Sequence, residues 1–167
     1  LKSADAVDQE ALSKAETALK EAESKIFTPI IGCEMYVADN DMTDRSNKKD
    51  IGRHLIVLAK NQHGYHNLIK LVSNAWTDGY YYHPRTDKKQ LEKYHEDLIV
   101  CSACLGGEVP KLITAGHIEE AEKSILWFKK VFGEDYYLEL QRHKATVARA
   151  NQEAYPLQQE VNKVLIE

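Results

Sequence analysis

The segment Leu98–Pro110, LIVCSACLGGEVP, decides how the rest of the chain is read. Leu98, Ile99, Val100 and Cys101 form a short apolar run of the kind a buried strand uses. Ser102, Ala103 and Cys104 leave that strand, Gly106 and Gly107 break it, and Pro110 opens a helical stretch. A strand, a tight turn and a helix put a side chain at the carboxyl end of a sheet, where α/β folds collect their chemistry. Cys104 stands at that point. Its thiol is either a small buried hydrophobe or, as thiolate, a ligand for zinc and similar metals.

Working outward, Phe27–Ala38 reads as a strand with Pro29 at its start, where a missing N–H does least harm. Cys33, Met35 and Val37 take one face; Glu34 and Tyr36 take the other. A carboxylate in so apolar a run needs a partner, because an unpaired buried charge is costly. Asp39–Ile51 reads as a polar, mobile loop. Arg53–Lys60 is a second strand, apolar enough to be buried on both faces, with His54 at its entrance. Asn61 caps the next helix, whose buried face is Tyr65, Leu68, Leu71, Val72 and Ala75; Asp78–Gly79 ends it.

Tyr80–Asp87 (YYYHPRTD) reads as a connection, with His83 kept extended by Pro84. Asp87 and Gln90 suit a capping box for a short helix through Tyr94. Ile118, Ala121, Ile125, Phe128 and Phe132 space a helix that Gly133 terminates. Tyr136–Gln141 alternates as a strand, and a last helix runs to Glu167 with Pro156 marking a kink or its true start. At the other end, Leu12, Ala15, Leu19, Ala22 and Ile26 stripe a long surface helix whose apolar side is mostly alanine and buries little. Strands separated by helices point to an α/β fold with mostly parallel strands and outer helices.

Composition sets outer bounds. The 167 residues, 43% hydrophobic and 29% charged, suit one globular domain. The net charge is −4 and no Lys/Arg run is present, so the charge balance shows no grip for nucleic acid. No apolar run reaches the roughly 18 residues of a membrane span, and no secretory signal is visible. Three cysteines, an odd number, argue against a disulfide framework and for a reducing, cytoplasmic setting. Cys101 and Cys104 have CxxC spacing, but Cys101 belongs to the strand, so the spacing reads as coincidence rather than as a redox motif.

Glu34, His54 and Cys104 therefore sit at or near strand ends, and each is a metal-ligand type. Their spacing matches no local metal motif. His63, His66, His95 and His117 fall on helices or helix ends and read as solvated or capping. His83 and Arg85 stand where they could contact a phosphate in the cleft.

GCEMYVA, HLIVLAKNQHGYHNLIKLVSNAWTDGYYYHPRTD, LIVCSACLGGEVP and FGEDYYLELQRH resemble, in order, segments of the amino-terminal PHP (polymerase and histidinol phosphatase) domain of bacterial DNA polymerase III alpha subunits. The resemblance runs from about Ile26 to Glu167 and implies that 26–167 are an internal part of that domain, with residues 1–25 a helical approach segment. It implies a distorted (β/α)7 barrel, here incomplete, whose cleft binds up to three metal ions, zinc or manganese. It implies that Glu34, His54 and Cys104 are ligands. It also implies further histidine and aspartate ligands upstream and downstream, which this chain lacks, so an internal fragment that is inactive by itself is expected. The implied partners are the other domains of the alpha subunit, proofreading or other replisome subunits, and DNA through the parent protein; none is a membrane. In the family the domain supports the polymerase, docks partners and, with its metals complete, removes 3′ nucleotides. A free-standing metal-dependent phosphoesterase and a metal-free interaction module are the alternatives.

Overall fold

The computed structural model describes residues 9–25, 27–144 and 154–167. The chain divides into two compact units, residues 1–30 and 31–167. The first contains α1 (Gln9–Ser24). Ile26, the last position of the expected apolar stripe, lies outside the described residues, as do residues 1–8.

In the second unit the strands are β1 (Gly32–Val37), β2 (Arg53–Ala59), β3 (Tyr80–Tyr81), β4 (His83–Thr86), β5 (Leu98–Cys101) and β6 (Tyr136–Tyr137). The helices are α2 (Gln62–Thr77), α3 (Lys88–Lys93), α4 (Glu108–Thr114), α5 (Ile118–Phe132) and α6 (Ala154–Ile166). The strands form one sheet in the order β3-β4-β1-β2-β5-β6. Because β1 is parallel to β4 and antiparallel to β2, and β2 is antiparallel to β5, which is parallel to β6, the strands β1, β4, β5 and β6 run one way. β2 and β3 run the other way.

The sheet is thus mostly parallel in strand direction. The expectation that β2 joins the parallel set is corrected. The chain passes from β1 to β2 through a loop without a helix, a connection that suits an antiparallel pair. Residues 27–31 are not strand: the last link to β2 is the Ala59 N–H donated to the Ile31 carbonyl, 2.9 Å, and Phe27 and Ile30 are exposed. Tyr80–Thr86, expected as a connection, is a hairpin that turns at Tyr82, where φ is 60°. Tyr136–Gln141 pairs only at Tyr136 and Tyr137, because β5, its partner, stops at Cys101.

Local signals hold the helices in place. The Asn61 side chain accepts from Gly64 N–H at the start of α2, and Asp87 does the same for Gln90 at α3. Gly133, with φ at 60°, closes α5. Pro156 lies in the first turn of α6, where its missing N–H breaks no helical bond.

Met35, Val37, Leu55, Val57, Leu98 and Val100 line the buried face of the sheet. Leu68 and Leu71 of α2, Leu91 of α3, and Phe128 and Phe132 of α5 pack over them in one cluster. A second cluster joins Val109 and Ile113 of α4 to Ala121 and Val161.

The loop between β1 and β2 is not the mobile segment its composition suggests. Arg85 is fully buried and donates to the carbonyls of Asp50 (2.8 Å), Met42 (3.0 Å) and Asp44 (2.8 Å). The Met42 N–H donates to Asp87 Oδ2 at 2.9 Å, and Met42 and Asp50 are themselves buried. The loop is clamped to the end of β4.

Candidate metal centre

Strand alternation builds the site. In β1, Met35 and Val37 enter the core, so Glu34 and Tyr36 face the opposite, open side. In the antiparallel ladder His54 pairs with Tyr36 and Ile56 pairs with Glu34, so His54 shares that side and lies diagonally from Glu34. Glu34 Oε1 comes within 2.7 Å of His54 Nδ1.

Cys104 arrives by the turn after β5. Ser102 anchors the turn: its N–H donates to the Tyr137 carbonyl and its Oγ accepts from the Glu139 N–H. Ala103 adopts φ of 61°, a left-handed conformation that reverses the chain. The His54 N–H then donates to the Gly106 carbonyl at 3.1 Å, sewing the turn to the start of β2. This places Cys104 Sγ 3.3 Å from His54 Nδ1, and the Gly106 N–H donates to the same sulfur at 3.3 Å. The three ligand atoms of Glu34, His54 and Cys104 all lie within 4.8 Å of one another.

Tyr36 and Gly106, which the sequence reading did not single out, set the position of His54. The Tyr36 ring meets the His54 ring edge-on with centroids 5.1 Å apart. The absence of a side chain at Gly106 lets the turn lie against the imidazole. Alternation had placed Tyr36 beside Glu34; nothing in the sequence marked Gly106 beyond its turn.

One carboxylate, one imidazole and one thiol from three separate segments form a donor set that a divalent metal can use. Three protein ligands with an open fourth position is the composition of catalytic zinc sites, and the sulfur favours zinc over manganese. The other two cysteines stand apart from this chemistry. Burial, and secondarily Glu34, pushes the Cys33 thiol up; burial, and secondarily Glu139, does the same for Cys101. A thiol that resists ionisation is a poor nucleophile.

His83 lies on the open side, its ring stacked on Tyr36 at 4.5 Å. Arg85 is a correction. Its guanidinium is consumed by the loop carbonyls and by Asp50, 3.4 Å away, and has no surface from which to reach a phosphate. The remaining histidines make local contacts. His63 lies 2.9 Å from Asp97, His66 3.2 Å from Gln62, and His95 2.8 Å from the Glu92 carbonyl.

The PHP domain family matches residues 6–143. The DNA polymerase III subunit alpha of Borreliella burgdorferi is 55% identical over 129 residues, which are 74% of this chain and 11% of that protein. The protein of the same name from Chlamydia muridarum is 42% identical over 130 residues, 76% of this chain and 10% of that protein. The one from Thermus aquaticus is 36% identical over 151 residues, 89% of this chain and 12% of that protein. The chain spans about a tenth of the length of these curated relatives.

Proposed function

The chain belongs to the PHP domain family, and from that premise we propose that it serves as part of the alpha subunit of a bacterial, cytoplasmic DNA polymerase III, with Glu34, His54 and Cys104 as metal ligands. The observation that carries the second half is the convergence of those three donors on one side of the sheet. The relatives, each named DNA polymerase III subunit alpha, support the first half. In the intact domain, for which residues 26–167 supply an internal part, the sheet closes into a (β/α)7 barrel around the site. Its partners are the polymerase's own domains and proofreading or other replisome subunits, and DNA reaches it through the parent protein.

A zinc or manganese ion at the three donors would supply Lewis-acid polarisation of a phosphodiester. The chain's own residues prepare for it. Glu34 Oε1 lies 2.7 Å from His54 Nδ1, so an oxygen and a nitrogen donor already face one point, and a ring nitrogen must be free of its proton to act as a ligand. The Gly106 N–H donates to the Cys104 sulfur and helps fix where it lies. Tyr36 and the Gly106 backbone hold the imidazole plane between the other two donors.

The test is expression of the whole reading frame that carries these residues. DNA synthesis on a primed template is expected, with at least one equivalent of bound metal lost in His54→Ala and Cys104→Ala. A frame without polymerase activity sinks the first half; metal content unchanged in both variants sinks the second.

A further inference from the structure

A second concavity lies behind the sheet. Arg53 pairs with Val37 across the β1–β2 ladder, so its side chain leaves the sheet on the core side, opposite to that of His54. There a cavity of about 630 Å³ opens between the exit of β1, the entry of β2 and helix α4. That volume falls in the range of small-molecule sites. Asp39 and Arg53 line one wall, Glu108 and Lys111 another, and Leu112 and Ala115 supply apolar surface.

The charges in the cavity do not balance. The Asp39 carboxylate is taken by Arg53, at Nε (2.8 Å) and Nη2 (3.1 Å). The Glu108 carboxylate is taken by Lys88, whose Nζ lies 2.7 Å from Oε1. Lys111 is half-buried and has no ion pair among the described residues. A partly desolvated ammonium without a counter-ion is unfavourable, so the cavity is short of one negative charge. Arg53 adds donors beside it, because Asp39 leaves both N–H groups of Nη1 without an acceptor among the described residues. A ligand bearing two negative charges would set the second against the Asp39 and Glu108 carboxylates.

We infer that this cavity binds an organic monocarboxylate. Its oxygens accept from Lys111 Nζ and Arg53 Nη1, and its apolar body lies on Leu112 and Ala115. The site is separate from the Glu34–His54–Cys104 cluster, and the inference does not depend on what that cluster does.

The full chain, labelled with ¹⁵N and kept in EDTA, is titrated with 3-phenylpropanoate and followed by its amide shifts. Saturable shifts are expected at Lys111, Leu112 and Ala115, with a Kd of roughly 1 mM for so small a ligand. The neutral 3-phenylpropanamide should bind about tenfold more weakly or worse, since it cannot form the charge-assisted bonds. Phenyl phosphate, fully ionised, should also bind more weakly than the carboxylate. Lys111→Gln should raise the Kd about tenfold or more, and Lys130→Gln on α5, the control for lost charge, should leave it unchanged. Circular dichroism confirms that both variants are folded. The inference is overturned by an absence of saturable shifts, by equal binding of the amide, by tighter binding of phenyl phosphate, or by equal Kd values for the two variants. EDTA removes metal, so a failed metal centre leaves this result standing, and a failed cavity leaves the metal test standing.

Discussion

Gly106 packs so tightly on His54 that a methyl group at Gly106 would come within 2.9 Å of the imidazole Nδ1. The obstructing atom belongs to a side chain that can swing aside, so Gly106→Ala should leave the fold intact and disturb the donor cluster. We expect a change in stability below about 1 kcal/mol, since the ring can rotate to relieve the overlap. Metal affinity should fall about tenfold or more, the cost of misplacing a ligand through its surroundings. Thermal unfolding and zinc titration together check this; a large loss of stability with unchanged affinity would show that Gly106 serves the fold alone.

Gly64 gives the opposite outcome. A methyl group there would overlap the Asp97 carbonyl oxygen, which is backbone and cannot swing away. Alanine gains about 1 kcal/mol of helix propensity, yet overpacking against a rigid neighbour costs about 1–3 kcal/mol or more. The clash wins, and Gly64→Ala should destabilise the protein in urea unfolding.

Arg85→Met removes the clamp on the β1–β2 loop. Breaking one side of a buried ionic pair costs roughly 3–5 kcal/mol, since Asp50 and several carbonyls lose their donor. Trypsin should then cut faster at Arg45, Lys48 and Lys49. Arg85→Lys should not restore stability, because one ammonium cannot reach the carbonyls that the fork of Arg85 reaches.

Three aspartates make the fold sensitive to acid. Hydrogen bonds from Thr43 hold Asp41 below the ordinary aspartate value of 3.8, those from Ser46 do so for Asp44, and the one from His63 does so for Asp97. A depressed folded value means the stabilisation is present above the ordinary value and lost as pH falls through the folded ones. The melting temperature should therefore drop below about pH 4. Asp41→Asn and Asp97→Asn should each flatten that drop; an unchanged acid limb in both would show that these bonds do not persist in solution.

For the chain by itself, zinc or manganese titration should give weak, substoichiometric binding and no cleavage of a phosphodiester or of 3′-labelled DNA. Two or more ions normally clamp the attacking and leaving oxygens, and three donors hold at most one ion well. Turnover that disappears in His54→Ala or Cys104→Ala would mean the three donors suffice.

Glu34, His54 and Cys104 could be singled out because each broke a pattern, Glu34 as a carboxylate in an apolar run, His54 at a strand entrance and Cys104 at a turn, while their role as ligands rested on the family resemblance; their closeness is seen only in the structure. The direction of β2 could not be had from alternation, which is the same whichever way a strand runs; the signal that did carry it, the helix-free loop at Asp39–Ile51, was outweighed by the strand–helix alternation of the rest of the chain. The hairpin at Tyr80–Thr86 was hidden by its brevity and by Pro84, which reads against a strand. Arg85 misled for another reason. The loop carbonyls that hold it lie 35 to 43 residues away, and backbone acceptors leave no trace in side-chain identity.

The tie between Tyr36 and His54 across the β1–β2 ladder has a consequence for how the gene can drift. One codon inserted within β2, between His54 and Leu55, moves His54 opposite Val37 while Leu55 and Val57 keep their places, sending the imidazole to the core side. The same codon inserted between Thr43 and Lys49, where the chain is exposed throughout, only lengthens a surface arc. Length variation among descendants should therefore gather in that arc and avoid the strand a few codons downstream.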